Sequence, residues 1–232
     1  MNTLAFDTCF GACSVAVTWA TPEGPRGAFR FERLERGHAE RLMPLIADAM
    51  SEAPFDFSAL QRLVVTTGPG TFTGQRVGIA AARALSLATG APVASLPSLA
   101  VMAHTAAHQL KGETAGKTLA AAVDARRGEI YVQFFSGPDL AALDEPLLTT
   151  PEDAARRLAG RDVVAVGSGS QLLADGARAK GLSISVRLAT LEPDVRFVPE
   201  AAIPTDFGVP RPLYLRPPDA KPQDGASLAR VS

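Results

Sequence analysis

Apolar residues fall along this chain in two alternating periods. Asn2 to Thr8 is a largely apolar strand ending in an acid and a hydroxyl, Asp7-Thr8. Gly11 turns the chain, and Ser14 to Trp19 pairs back as a second strand. After Thr21 to Pro25, the segment Ala28 to Leu34 sets Phe29 and Phe31 against Arg30 and Glu32, the period of two that predicts an edge-like third strand. The period then lengthens. In His38 to Met50 the apolar positions 42, 45, 46 and 49 follow the spacing of an amphipathic helix, with Pro44 bending it or lying near its first turn. A strand at 63 to 67, a helix from 74 to 88, a strand at 92 to 96 and a helix from Ser98 to about Leu110 complete a β-β-β-α-β-α-β-α order.

A second unit follows the polar linker Lys111 to Gly116. Thr118 to Val123 and Glu129 to Phe135 read as strands joined by Asp124-Ala125-Arg126-Arg127-Gly128, with glycine supplying the permissive turn. Thr150 caps a short helix over Pro151 to Leu158, Val163 to Val166 is a strand, and Ser170 to Lys180 is a helix closed by Gly181. Ile184 to Leu188 adds a strand. Pro217 to Ser232 reads as a polar, disordered tail.

Between the strand at 63 to 67 and the next helix lies Gly68-Pro69-Gly70-Thr71-Phe72-Thr73-Gly74. With Thr73 as N-cap, the first-turn amides and the positive end of the helix dipole face this loop. That geometry suits an anion, and it equally suits a sharp strand-to-helix connection. No Lys follows the last glycine, so the loop is not a Walker A. The glycine spacing and the lack of an acid after the next strand exclude a dinucleotide fingerprint. The helix itself has a flat stripe, Val77, Ala81, Ala84 and Ala88, which suits close helix packing either within the domain or between subunits.

Composition narrows the function classes. The 232 residues carry a net charge of -1, with four Lys against nineteen Arg, so no global charge draws the chain to nucleic acid. No apolar run approaches the ~20 residues needed to cross a bilayer. The start, Met1 to Asp7, lacks the charged segment and cleavage site of a signal peptide, which points to the cytosol and to no membrane partner. Cys9 and Cys13 flank Gly11 and read as two reduced, partly buried thiols.

Several stretches together resemble one family: Leu4 to Thr8, His38 to Ile46, Gly68 to Gly78, Asp124 to Tyr131 and Pro212 to Arg216. The chain is similar to the TsaB (YeaZ) family of bacterial tRNA threonylcarbamoyladenosine biosynthesis proteins. That family lies within the ribonuclease H-like superfamily of actin, sugar kinases and heat-shock chaperones. The resemblance implies an α/β fold of two ribonuclease H-like lobes, each a mixed sheet opened by a β-hairpin with helices on both faces. The lobes are expected at 1–110 and 117–216, with a tail at 217–232.

The resemblance also implies a non-catalytic subunit that activates a TsaD-like catalytic subunit, joined by a TsaE-like ATPase, in threonylcarbamoyl transfer to the adenosine beside the tRNA anticodon. On this reading tRNA is met only through the complex, and the chain alone forms a homodimer. The interface is expected on Leu42, Leu45, Ile46 and Ala49 of the first helix and Val77, Ala81, Ala84 and Ala88 of the second. The alternative reading is an enzyme in its own right, an ATP-dependent transferase or a glycoprotease-like protein. Asp7, Thr8, Gly68 and Gly70 match the superfamily's nucleotide site, although Cys9-Phe10 replace its usual glycine, so cofactor is expected to be absent from this chain alone and ATP or ADP belongs to the complex. The catalytic relative carries a metal-binding H-x-x-x-H. Ser98 and Met102 stand at those two positions here, and no metal is expected. His104 and His108 are four apart but have no third ligand nearby, and His38 reads as a capping or packing residue.

Overall fold

In the computed structural model, which describes residues 1–137 and 139–217, the chain builds two five-stranded mixed sheets. The first contains β1 (Thr3–Asp7), β2 (Ala12–Thr21), β3 (Gly24–Arg33), β4 (Arg62–Gly68) and β5 (Val93–Pro97), in the order β3-β2-β1-β4-β5. β1 to β3 form an antiparallel meander, and β4 and β5 add in parallel beside β1. Strand register sorts the side chains by size. One face carries Leu4, Phe6, Val15, Val17, Leu63 and Val65 and packs beneath α1 (His38–Met50) and α2 (Phe72–Thr89). The other carries the smaller Ala5, Ala16, Val64 and Ala94, which brings α3 (Ser98–Leu110) close.

The second sheet holds β6 (Thr118–Arg126), β7 (Glu129–Ser136), β8 (Leu147–Thr149), β9 (Val163–Val166) and β10 (Ser185–Val186). Its order, β8-β7-β6-β9-β10 read from the meander side, repeats that of the first sheet, with the same pattern of antiparallel and parallel neighbours. Leu119, Ala121 and Val123 face α3, and Ala120 and Ala122 face α4 (Pro151–Arg156) and α5 (Ser170–Arg178). The layers therefore run helices, sheet, α3, sheet, helices. The central helix serves both halves: Val101 packs on the first sheet, and Leu99, Met102 and Ala106 pack on the second.

The chain then returns to the first lobe. The Val195 amide donates to Ser14 Oγ at 3.2 Å, Gly208 N to the Val93 carbonyl at 3.2 Å, and Leu213 N to the Thr67 carbonyl at 2.8 Å. These bonds attach part of the expected 117–216 lobe to the first sheet. β3 starts at Gly24 rather than Ala28, because Thr21 and Gly24 themselves close the hairpin. Pro44 lies in the second turn of α1. Apart from Pro217, the expected tail lies outside the described residues.

Candidate functional site: an inter-lobe cleft behind a closed glycine loop

Thr71, rather than Thr73, caps α2: its Oγ1 accepts from Gly74 N at 3.0 Å. The helix thus begins two residues earlier than the glycine spacing suggests, and Gly74 falls inside the first turn. This turn presses directly on the end of β1. Thr8 Oγ1 donates to the Gly74 carbonyl at 2.7 Å, and Thr71 N donates to the Cys9 carbonyl at 2.8 Å. A Cβ on Gly74 would stand 2.0 Å from the Thr8 carbonyl oxygen, and one on Gly70 would stand 2.4 Å from that of Cys9. These glycines are needed for backbone-on-backbone contact. The loop thus lies directly against the chain at Thr8 and Cys9.

Asp7 is wholly buried. Its carboxylate accepts from Thr66 Oγ1 at 2.5 Å and from the Cys9 amide at 3.3 Å. Burial nevertheless dominates, and its pKa rises to about 7. Cys9 and Cys13 are free thiols, fully buried rather than partly so. Burial and the nearby Asp7 charge push Cys9 well above the usual thiol range and Cys13 to about 12. Neither is disposed to act as a thiolate nucleophile.

On the solvent side of this loop lies a cleft of about 920 Å³ between the lobes. Gly70 to Gln75, the turn after β3 with His38, the β6–β7 hairpin and Tyr214 to Pro217 line it. Of the four residues expected at a nucleotide site, Gly70 reaches the cleft, while Asp7, Thr8 and Gly68 do not line it. His38 Nε2 is 2.8 Å from the Phe10 carbonyl, a packing role for this histidine. Arg126 and Arg127 sit in left-handed conformations at φ 63° and 58°, and the Arg126 amide and guanidinium both bond Asp124.

The closing side of the cleft is a cluster that no local pattern in the sequence announces. The Arg76 guanidinium lies 3.5 Å over the Phe72 ring, and its Nε donates to Tyr214 Oη at 2.8 Å. Phe72 and Tyr214 stack at 5.2 Å. Two residues on, Arg216 donates to the Ala125 carbonyl and to Glu129, at 2.8 and 2.6 Å, so the returning chain joins α2 to the second lobe's hairpin. Arg76 and Tyr214 are 138 residues apart, and only the tertiary fold brings them together.

The expected interface stripes divide. Leu42, Leu45, Ile46 and Ala49 are buried against the first sheet, so this half of the expectation is corrected: the amphipathic stripe of α1 faces its own core. Val77 and Ala81 also pack partly on that core, whereas Ala84 and Ala88 are exposed. The outward residues are instead Met43 and Ala47 on α1, and Ala80, Ala84, Leu87 and Ala88 on α2.

Neither Ser98 nor Met102 presents a ligand to solvent. Ser98 Oγ donates to the Pro69 carbonyl, and Met102 is packed in the core beside Gly167. His104 is half-buried, which lowers its pKa, while His108 stacks on Phe197 at 4.2 Å. Among the described residues no three His, Cys, Asp or Glu side chains are grouped to hold a metal, and no helix is long and apolar enough to cross a membrane.

Residues 27–173, which span parts of both lobes, match the family model described as TsaD, tRNA N6-adenosine threonylcarbamoyltransferase. The chain is 32% identical over 190 residues to the tRNA threonylcarbamoyladenosine biosynthesis protein TsaB of Escherichia coli K12, covering 78% of each chain. Two solved structures from Pseudomonas aeruginosa superpose closely. One, of an uncharacterized protein with similarity to peptidase YEAZ, gives a TM-score of 0.73 at 27% identity over 93% of this chain and 99% of that one. The other, of YeaZ, gives 0.69 at 29% identity over 84% and 86%. Duplicate ribonuclease H-like sheets, the glycine loop closed on β1 and these likenesses agree: the chain belongs to the TsaB (YeaZ) family.

Proposed function

We propose that the chain is a non-catalytic subunit of tRNA threonylcarbamoyladenosine biosynthesis that activates a TsaD-like catalytic subunit by docking it on the outer faces of α1 and α2. Leu87 carries this reading: it is 90% exposed on α2, among Ala80, Ala84 and Ala88. A large apolar side chain on a flat alanine surface suits a close helix-to-helix contact with another chain. α1 packs alongside α2 and adds the exposed Met43 and Ala47. The inward placement of Ser98 and Met102 supports chemistry residing in the partner. In the absence of that partner the same face serves a two-fold homodimer. A TsaE-like ATPase, ATP or ADP and tRNA enter with the complex, in the cytoplasm.

Reconstitution tests it. The purified chain, analysed for metal and assayed with tRNA and threonylcarbamoyl-AMP, is expected to hold no stoichiometric metal and to turn over only after a TsaD-like subunit is added. Turnover by the chain alone would favour the second reading, an enzyme in its own right, for which the observation is the 920 Å³ cleft.

A further inference from the structure

β3 is the edge strand of the first sheet, and its two phenylalanines lie on the face away from α1. The register pairs Phe29 with Ala16 and Phe31 with Ser14, while Ala28, Arg30 and Glu32 alternate to the α1 side. The two rings are 36% and 39% exposed. Phe29 lies flat on its own strand: a Cβ on Gly27 would come within 2.6 Å of Phe29 Cζ. Here the strand glycine makes room for a ring with an open outer face. The Arg196 guanidinium is 5.9 Å from the Phe29 ring and 4.6 Å from the Phe197 ring, and Phe197 stacks on His108 at 4.2 Å. Ring, cation, ring and imidazole thus follow one another across β3, the turn Val195–Phe197 and α3.

Beside Phe31 runs a groove of about 170 Å³ reaching Arg33 and Gln109, smaller than the pockets that enclose small-molecule ligands. The two carboxylates lining it have partners from the chain itself. Glu192 accepts from the Gly11 amide at 3.0 Å, and Asp194 accepts from the Arg196 amide and guanidinium at 3.0 and 2.7 Å. Arg33 donates to the Thr190 carbonyl, and its charge favours the Glu192 carboxylate beside it. What this surface offers outward is aromatic faces, flanked by two guanidinium groups that each lie beside a carboxylate of the chain itself.

We propose that this face binds the unpaired bases of an RNA loop, with bases stacking on Phe29 and Phe31 and a phosphate meeting Arg33. Stacking on exposed rings with interleaved arginine is the recognition mode of unpaired nucleic acid, and stacked duplex bases cannot enter it. The proposal rests on the tRNA pathway proposed above for its biological RNA, but not for its geometry. It also leaves the partner's site free, because α1 and α2 cover the opposite face of the same sheet.

The test is a fluorescence-anisotropy titration of the full chain with a labelled RNA hairpin carrying an unpaired loop, and with the same stem closed into an uninterrupted duplex. The hairpin is expected to bind more tightly. With one cation on a phosphate, its log-affinity should fall with log salt at a slope of only about -0.7. Phe29→Ala and Phe31→Ala should each weaken the hairpin by about tenfold, corresponding to loss of one stacked base, while Phe31→Trp retains binding. Circular dichroism of each variant separates lost binding from lost fold, and the comparison of Phe31→Ala with Phe31→Trp stands even if Phe29→Ala unfolds. Equal binding of hairpin and duplex, or unchanged hairpin affinity in Phe31→Ala, overturns the proposal. So does loss of TsaD-like partner capture in that variant with RNA binding intact. A wild-type chain that binds the hairpin as described but never stimulates a TsaD-like subunit would remove the proposed function and leave this surface standing.

Discussion

Thr66 donates its hydroxyl proton to the Asp7 carboxylate at 2.5 Å, bridging β4 and β1 in a site closed to water. Even so, the folded pKa of about 7 lies above the unfolded value near 3.8, so the folded chain holds this proton to higher pH than the unfolded chain does. Stability is therefore expected to fall as pH rises from about 4 to about 7, by up to about 4 kcal/mol, and to level off above that. Glu192 and Asp144, raised by burial, act in the same direction. Urea midpoints across this range should show the decline, and Asp7→Asn should flatten most of it. An unchanged slope in Asp7→Asn would show that other groups set it.

Gly74→Ala should destabilise the chain by roughly 1–3 kcal/mol or prevent folding, because its Cβ falls 2.0 Å from the Thr8 carbonyl and 2.7 Å from Thr71 Oγ1. Gly208→Ala is the control: nothing lies within 4 Å of that Cβ, and its melting temperature should match the wild type. Similar melting of both variants would mean that α2 slides to make room.

The outer face of α2 can be probed without disturbing the core. Ala84→Arg adds a charged side chain at an exposed position, and should leave the melting temperature unchanged while lowering TsaD-like partner capture and homodimer content at least tenfold. Ala82→Arg, at a fully buried position two residues away, should unfold the chain. Sedimentation and pull-down read the first, and thermal melting the second. Intact assembly in Ala84→Arg would place the interface elsewhere.

Arg76→Ala removes the guanidinium over Phe72 together with its hydrogen bond to Tyr214, a loss of about 1 kcal/mol in holding the returning segment. Limited proteolysis should then cut between residues 205 and 216 several-fold faster, with global melting little changed. Equal cleavage rates would show that the bonds of Gly208, Pro210, Leu213 and Arg216 hold the segment without Arg76.

Much of the first sheet was legible because strand and helix periods are local properties. Ser98–Leu110 and the Thr150 cap stand where the sequence puts them. The cap of α2 was misread because Thr71 and Thr73 both precede a helix-forming run, and the choice depends on which hydroxyl reaches Gly74 N once β1 is in place. The stripe Leu42, Leu45, Ile46 and Ala49 was correctly found and wrongly faced. Periodicity identifies an apolar side of a helix but not whether its own sheet or another chain covers it, and here Phe6, Val15 and Val65 belong to the same core. The cleft's Arg76–Tyr214 pair carries no periodic signal, since its members share neither an element nor a neighbourhood in sequence.

The hydrogen bond from Val195 N to Ser14 Oγ spans 181 positions and lies under the first sheet. During synthesis, therefore, the first lobe cannot finish when its own strands have emerged. The part of its small-residue face that Val195 covers waits while the whole second sheet is made, an interval on the order of 5–20 s at ordinary elongation rates, although α3 already packs on the rest. A ribosome-stalled chain ending at residue 190 should be cut readily in β1 to β5, and one long enough to expose residue 217 should resist. For this molecule the last segment translated determines when the first becomes protease-resistant.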